Sequence, residues 1–524
     1  VGKTTWAAAL AIDTARQAKT LLVSTDPASS LGDILHMGVD ATPRRVAGIR
    51  RLDAVNVDAA AAFDAWLTPR RPLLAAIALG GTYLDEDDVR KLLGLSLPGI
   101  DEIIGLLAAR TIGAAYDAIV IDSAPTGHTL RLLAAPALLE RVAGFLDNLH
   151  GHHREMVSAL RGEYRTDAAD QLIGELARDA ESLSAMLRDR RTTELFWVTL
   201  PEPMALEETR DALDSLAREG LRVRTIVVNR VTLPPKQTCG WCEARLRFEA
   251  RALAPVRRRF PDVELQTIPE FEREPRGAAA LRRVAGMVSA WTPTQTRPPV
   301  ARRITARIDD GAPTNPSDIL SSGFRWVLFG GKGGVGKSTC AAAFALDRAR
   351  TSASQRILLL SSDPAHSLGD VFGVRIDDCP ASIPRAPANL QVREIDPAAA
   401  LSAFRTQYLQ AIDEVFGRLT RGLASMSGDR FALGQLLDLA PPGVDEVIAI
   451  ADVAEALTGA DAPYDTIVSD TAPTGHALRL LQTPAVLHEW TKALMSLLLK
   501  YREVVPSGPL AALLVRLSRR LRAI

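Results

Sequence analysis

The run WVLFGGKGGVGKSTC, Trp326 to Cys340, passes from four apolar residues into a glycine-rich loop and then into the alanine-rich segment 340–348. An apolar strand, a loop of the form GxxxxGK[ST] and a helix, in that order, make a Walker A phosphate loop. Its glycines let successive backbone N–H groups turn toward phosphate, and the helix N-terminus adds the positive end of its dipole. Gly331, Gly333, Gly334, Val335, Gly336 and Thr339 are therefore read as lining a triphosphate. Lys337 is read as the cation on the β/γ-phosphates and Ser338 as the hydroxyl on Mg²⁺. The predicted ligands are a nucleoside triphosphate and Mg²⁺.

The same signal occurs twice. Val1-Gly2-Lys3-Thr4-Thr5 matches Val335-Gly336-Lys337-Ser338-Thr339. TDPASSLGD from Thr25 returns as SDPAHSLGD from Ser362, PGIDE from Pro98 as PGVDE from Pro442, and YDAIVIDSAPTGHTLRLL from Tyr116 as YDTIVSDTAPTGHALRLL from Tyr464. A period of a whole domain excludes a short-repeat solenoid and predicts tandem lobes, 1–291 and 323–524. Between them 292–322 is rich in Pro, Thr, Ser and Arg and reads as an extended linker. The first copy of the loop is expected to begin inside its motif, with Gly2, Lys3, Thr4 and Thr5 repeating the nucleotide contacts. The counterpart of the segment that follows roughly residue 176 is expected beyond Ile524.

Composition bounds the alternatives. A chain of 524 residues is too long for one ordinary core. Lys+Arg 62 balance Asp+Glu 62, against a protein built mainly to coat nucleic acid. Four cysteines exclude a disulfide scaffold and fit a reducing, cytoplasmic compartment. Apolar runs at 20–24, 118–121, 195–199, 225–228, 326–329, 357–360 and 466–468 alternate with helical stretches. That order predicts an α/β fold with a mostly parallel, doubly wound sheet in each lobe, its strands buried on both faces.

Asp122 and Asp470 end apolar strands, where a carboxylate can hold Mg²⁺ in the Walker B manner. Each leads into APTGH, read as a sharp turn at Gly127 or Gly475. Asp26 and Asp363 also follow strand ends and are candidates for polarising the attacking water; an Asx-type turn is the other reading. Cys239-Gly240-Trp241-Cys242 offers two of the four ligands of a structural Zn²⁺, with a redox pair or packed thiols as alternatives. Cys340 reads as a small core residue and Cys379 as a loop residue. His150, His152 and His153 read as a solvated loop, because no Cys lies nearby and Glu155 is the only close carboxylate downstream. The leucines of 510–524, with arginines between them, read as an internal helix in preference to a membrane-surface one.

GGKGGVGKST, SSDPAHSLGD, PPGVDEV and DTAPTGHALRLL together resemble the ArsA family, which includes arsenite-pump ATPases and tail-anchored-protein targeting ATPases. The resemblance covers nearly the whole chain. It implies a deviant Walker A loop whose signature lysine, Lys332, reaches the nucleotide of the other lobe, so that the lobes form an intramolecular pseudo-dimer with composite sites. It implies that Asp26 and Asp363 open switch I, that 122–133 and 470–481 form switch II, and that Asn229 touches adenine beneath the loop 269–277. On its residues alone Asn229 could equally be a turn residue. A membrane transporter subunit, or an apolar client helix held by the helices of 134–187 and 481–524, are the implied partners. Two departures bear on the ligand. Positions 95–98 and 439–442 carry no cysteine, so soft arsenite would lack thiolate ligands. Ser29 stands where the second lobe has His366, which predicts unequal hydrolysis by the two lobes.

Overall fold

Strands β1 (Thr20–Ser24), β10 (Ile357–Ser361) and β13 (Thr466–Asp470) are buried at every position. Burial at every position is what a parallel sheet covered on both faces gives its strands. In the computed structural model the described residues are 2–25, 30–81, 85–94, 100–123, 126–235, 239–290, 324–330, 335–361, 367–419 and 463–470, with the isolated positions 434, 488, 512, 515–516 and 518–519. They fall into two compact units. One comprises Val1–Ala62, Gly105–Leu133 and Ala185–Ile319; the other comprises Phe63–Ile104, Ala134–Ser184 and Leu320–Ile524. The helical segments 63–104 and 134–184 thus group apart from the strands that flank them in sequence.

The first unit carries two four-stranded sheets. One has the order β2-β3-β1-β4, with β2 at Arg44–Arg45, β3 at Leu52–Asn56 and β4 at Ala118–Asp122. The other is β5-β6-β7-β8: Phe196–Thr199, Thr225–Val231, Glu264–Pro269 and Ser289–Ala290. Only β2 and β8 run antiparallel to their neighbours. Helix Lys3–Thr14 serves both sheets. Its Ala8, Ala11 and Ile12 join the core over β1 and β3, while Trp6 and Ala9 pack with Val227 and Ile268. Trp6 meets Phe196 edge-on at 5.9 Å. Alanine at these contacts lets the helix backbone lie close to the strands.

Among its described residues the second unit holds a five-stranded sheet, β11-β12-β10-β13-β9, with β9 at Trp326–Phe329, β11 at Ala381–Ser382 and β12 at Leu390–Glu394. Helix Lys337–Thr351 covers it through Ala341, Ala342, Phe344, Ala345 and Ala349. The repeat extends to individual hydrogen bonds. Lys19 N–H donates to Asp117 Oδ2 at 2.8 Å as Arg356 N–H does to Asp465 Oδ2 at 2.7 Å. The Tyr116 hydroxyl donates to Asp53 as that of Tyr464 does to Gln391.

Several expectations need correction. β4 is not buried on both faces: among the described residues it pairs only with β1, and Ile119 and Ile121 are each 39% exposed. Its counterpart β13 has β10 on one edge and β9 on the other. Gly127 lies inside a helix, Thr126–Arg161, not in a turn. Cys340 is exposed, because the helix it sits on turns its alanine face to the sheet and Cys340 to the other side. Cys379 is an exposed loop residue, as expected. The linker 292–322 lies outside the described residues. No described helix is long and apolar enough to cross a membrane.

Leu359, fully buried in the middle of β10, tests how much this packing contributes. Leu359→Ala should destabilise the second unit by about 3 kcal/mol, from lost apolar transfer plus the cavity left behind. A urea-unfolding midpoint unchanged from wild type would show that the sheet can collapse around the gap.

Candidate active site

Gly2 and Gly336 occupy the same left-handed backbone conformation, φ 93° and 89°, immediately before the helices Lys3–Thr14 and Lys337–Thr351. Only glycine adopts it without strain. The residues after them, Lys3, Thr4 and Thr5 in one copy and Lys337, Ser338 and Thr339 in the other, form the first helical turns. There backbone N–H groups have no partner within the helix and point along its axis. Ser338 is buried at this turn. Of the second copy's loop, Gly331, Lys332, Gly333 and Gly334 lie outside the described residues, as do Asp26, Ser29, Asp363 and His366.

The strand ends supply the carboxylates. Asp470 closes β13, fully buried, in register with Phe329 on one side and Ser361 on the other. Phe329 is the last strand residue before the glycine loop, so the sheet itself sets Asp470 beside the chain entering that loop. The Ser361 hydroxyl donates to Asp470 Oδ2 at 3.5 Å. Helix Lys337–Thr351, which begins with the lysine and serine, packs on β13. In the first copy Asp122 closes β4, buried and in register with Ser24, and helix Lys3–Thr14 packs on β4. The carboxyl ends of parallel strands are where open α/β sheets bind ligands.

Asn229 reaches the same place from another sheet. Strand β6 is interrupted between Val228 and Val231 by a register shift, and Arg230 takes a left-handed φ of 61°. Such a bulge turns one side chain away from its expected face. Here Asn229 comes against the loop, and a Cβ on Gly2 would overlap its Nδ2. Arg230 pairs with Glu270 at 2.9 Å, tying β6 to the start of the 269–277 loop. Glu249 escaped sequence reasoning. Buried on helix Gly240–Arg259, it accepts from the backbone N–H and hydroxyl of Thr232 at 3.0 and 2.7 Å and from Arg245 at 2.9 Å. It anchors the chain leaving β6, and only the packing of that helix announces it.

A family model for anion-transporting ATPases, ArsA_ATPase, matches residues 1–290 and 324–514. The chain belongs to the ArsA family. It is 29% identical over 529 residues to ATPase ARSA1 of Chlamydomonas reinhardtii, across 93% of this chain and 65% of that protein. A Halobacterium salinarum protein named for driving an arsenical pump is 27% identical over 493 residues, covering 89% of this chain and 69% of its own length. ATPase GET3 of Podospora anserina is 30% identical over 299 residues, 55% of this chain and 87% of that protein. The chain thus spans 65% of the length of its Chlamydomonas relative. ATP and Mg²⁺, which an ArsA ATPase implies, suit the residues present. Two glycine-led helix starts carry a lysine and a hydroxyl, and a buried carboxylate stands at the neighbouring strand end.

The cysteine pair starts helix Gly240–Arg259, with Cys239 as its N-cap accepting from Cys242 N–H at 3.5 Å. The N–H groups of Cys242 and Trp241, with the Cys242 side chain, hold the Cys239 thiol below its usual range; the bond to Cys239 and burial push Cys242 up. Among the described residues no third His, Cys, Asp or Glu joins the pair within metal-binding reach. Cys239 should therefore alkylate well before Cys242 at neutral pH, since the thiolate is the nucleophile. Mass-spectrometric mapping after limited iodoacetamide treatment would show equal labelling if this assignment were wrong.

The histidine cluster is not a solvated loop. His150 lies buried in helix Thr126–Arg161, stacked on His153 at 5.4 Å. Its Nε2 lies 3.0 Å from the Tyr164 hydroxyl, 3.3 Å from Asp167 and 3.6 Å from Asp170. The turn after Arg161 folds these carboxylates back onto the helix, which reading neighbours in sequence could not reveal. The group is compact enough for a cation, yet Arg154 Nη1 already donates to Asp170 Oδ1 at 3.0 Å, and Asp167 caps the following helix. Burial would raise the Asp170 pKa, but hydrogen bonds from Tyr164, Asp167 N–H and Arg154, with the charge of His150, hold it below the usual carboxylate range. The cluster is a satisfied tie between two helices.

Proposed function

We propose that this chain hydrolyses ATP with Mg²⁺ at the two Walker A loops and uses the cycle to drive transport or handling of a ligand. The observation that carries the reading is the register of β9, β13 and β10. It sets Asp470 beside the chain entering the loop, under a helix that begins with Lys337 and Ser338, and the first copy repeats Lys3, Thr4 and Asp122 in the same order. Lys337 and Lys3 would neutralise phosphate charge as it shifts toward the leaving oxygen, and the helix-terminal N–H groups would hold the phosphates in line. Ser338 with Asp470, and Thr4 with Asp122, would hold Mg²⁺, which supplies further charge neutralisation when bound. Asp26 and Asp363 would polarise the attacking water, and Asn229 would read the base above Gly2. Lys332 would act on nucleotide in trans; turnover by the first copy that is indifferent to Lys332→Ala would remove that role.

The ligand is read from family and chemistry together. The family is described as anion-transporting, and one relative is named for an arsenical pump. The chain has four cysteines and none at 95–98 or 439–442, so a ligand that needs no thiolate cage fits better than arsenite. Such a protein would work in the cytoplasm beside a membrane transporter subunit, while Zn²⁺ at Cys239 and Cys242 would need ligands from a second pair. The test is ATP turnover by the purified chain, with and without Mg²⁺, arsenite, other oxyanions and an apolar helical peptide. Stimulation by an oxyanion supports the transport reading. Stimulation by the peptide alone replaces it with an ATP-driven chaperone or targeting factor. Absence of both nucleotide binding and cleavage would overturn the ATPase assignment itself.

A further inference from the structure

The bulge that turns Asn229 onto Gly2 needs support from outside the strand. In the ladder between β6 and β7, Val228 stands opposite Thr267 and Val231 opposite Pro269, so Asn229 and Arg230 share the single residue Ile268. Among the described residues, the pairing of β6 with β5 ends at Val228. Arg230 holds a left-handed φ of 61°, a conformation that a non-glycine residue keeps only where its surroundings over-determine it. Helix Gly240–Arg259 grips the chain on both sides of this point. Before the bulge, its Leu253 and Val256 share a core with Ile226 and Val228. After the bulge, its Glu249 takes both donors of Thr232, the N–H at 3.0 Å and the hydroxyl at 2.7 Å. Glu249 is 2% exposed, and its charge is met by Arg245 Nε at 2.9 Å, whose Nη2 continues to Glu202 at 3.3 Å. One rigid element thus spans the irregular stretch like a splint.

We infer that Glu249 is a positioning residue for base selection: by fixing Thr232 it holds the bulge that keeps the Asn229 carboxamide at Gly2, and so makes the first copy prefer adenine to guanine nucleotides. The inference rests on the reading that Asn229 reads the base. A carboxamide carries a donor and an acceptor side by side. Adenine offers the matching pair, the N6 donor beside a ring-nitrogen acceptor, whereas guanine shows two acceptors, O6 and N7, on the corresponding edge. That difference is felt only by an amide held in one place, because an amide able to turn over follows either base. The bonds from Thr232 to an ionised, buried acceptor are of the strong kind, and leaving the Thr232 N–H without one is costly. Without Glu249 the chain after Val228 loses its far anchor, Arg230 can leave its left-handed conformation, and Asn229 moves off the glycine. The phosphate-holding residues Lys3 and Thr4 stand on a different element and keep their places. Loss of the brace therefore reaches the base and leaves the reacting phosphate alone.

The experiment isolates the first copy with Lys337→Ala and reads kcat/KM for ATP against GTP. Glu249→Ala should cut the preference for ATP about tenfold, roughly what one lost hydrogen bond is worth, through a raised KM for ATP with kcat within about twofold of the parent. Glu249→Gln keeps one oxygen for Thr232; it should lose less, and it guards against an alanine variant that fails to fold. In the Asn229→Ala protein, replacing Glu249 should lower the preference no further, because a residue that acts through Asn229 then has nothing to act on. A preference equal to the parent's in both Glu249 variants would overturn the inference. So would a KM raised equally for both nucleotides, or a loss that persists in full without Asn229, since either marks general damage to the fold. Failure of the readings beneath it shows with Glu249 intact, as no turnover at all for the ATPase and as an unchanged preference in Asn229→Ala for the base contact. Either result takes the inference with it.

Discussion

Lys337→Ala, introduced where Lys3→Ala has already silenced the first copy, is expected to lower ATP turnover about 10²- to 10³-fold, the loss typical of removing one group aimed at transition-state charge. The lysine opens helix Lys337–Thr351 directly after Gly336, whose left-handed backbone turns the chain into the helix. Alanine is the best helix former and leaves the glycine and the following turn in place, so the phosphate cradle of N–H groups survives. What disappears is a mobile point charge at the helix start, and with it both phosphate affinity and stabilisation of the charge that develops on cleavage. Thermal unfolding should be within a degree or two of the parent, because the lysine contributes no core packing. Steady-state phosphate release in the double variant reads the effect directly. Turnover equal to that of Lys3→Ala alone would mean that the second copy is not a working site.

Asp470→Asn carries the second large effect. The carboxylate is fully buried at the end of β13 and receives the Ser361 hydroxyl on Oδ2. Asparagine preserves its volume and one oxygen while removing the charge that would hold Mg²⁺ beside Ser338. Turnover should fall about 100-fold, with a rightward shift in the Mg²⁺ titration, while nucleotide binding in EDTA stays near the parent value. Stability should be equal or higher, since a neutral amide costs less to bury than a carboxylate. The signs are opposite for activity and stability, which separates a metal-holding role from a structural one. An unchanged Mg²⁺ titration would remove Asp470 from the metal site.

Not every strand was equally legible. β10 is a run of aliphatic residues bounded by a polar end, and burial on both faces leaves that signature in the residues themselves. β3 and β12, LDAVN and LQVRE, escaped because each carries charged or polar residues that the strand buries or half-buries. Asp53 is tolerated there by the Tyr116 hydroxyl and Arg45, and Glu394 by the amides of Leu368 and Gly369. Apart from Arg45, these partners stand 25 or more residues away, so no short window of sequence contains the reason. Asn229 was singled out by resemblance alone; the bulge that turns it onto Gly2 depends on the pairing of β6 with β7. Cys340 misled because a small residue on an alanine-rich helix suits either face.

Lys3, Lys337, Asp122 and Asp470 could be named from the order strand, glycine, lysine, hydroxyl, because a phosphate loop is a local device whose geometry follows from consecutive residues. So could the duplication, which needs only the chain compared with itself. The bonds from Leu368 and Gly369 to Glu394, the tie of His150 to Asp167 and Asp170, and the anchoring of Thr232 by Glu249 came only from the folded molecule. Each depends on which buried polar atom finds a partner, and that is settled by long-range packing, not by neighbours along the chain.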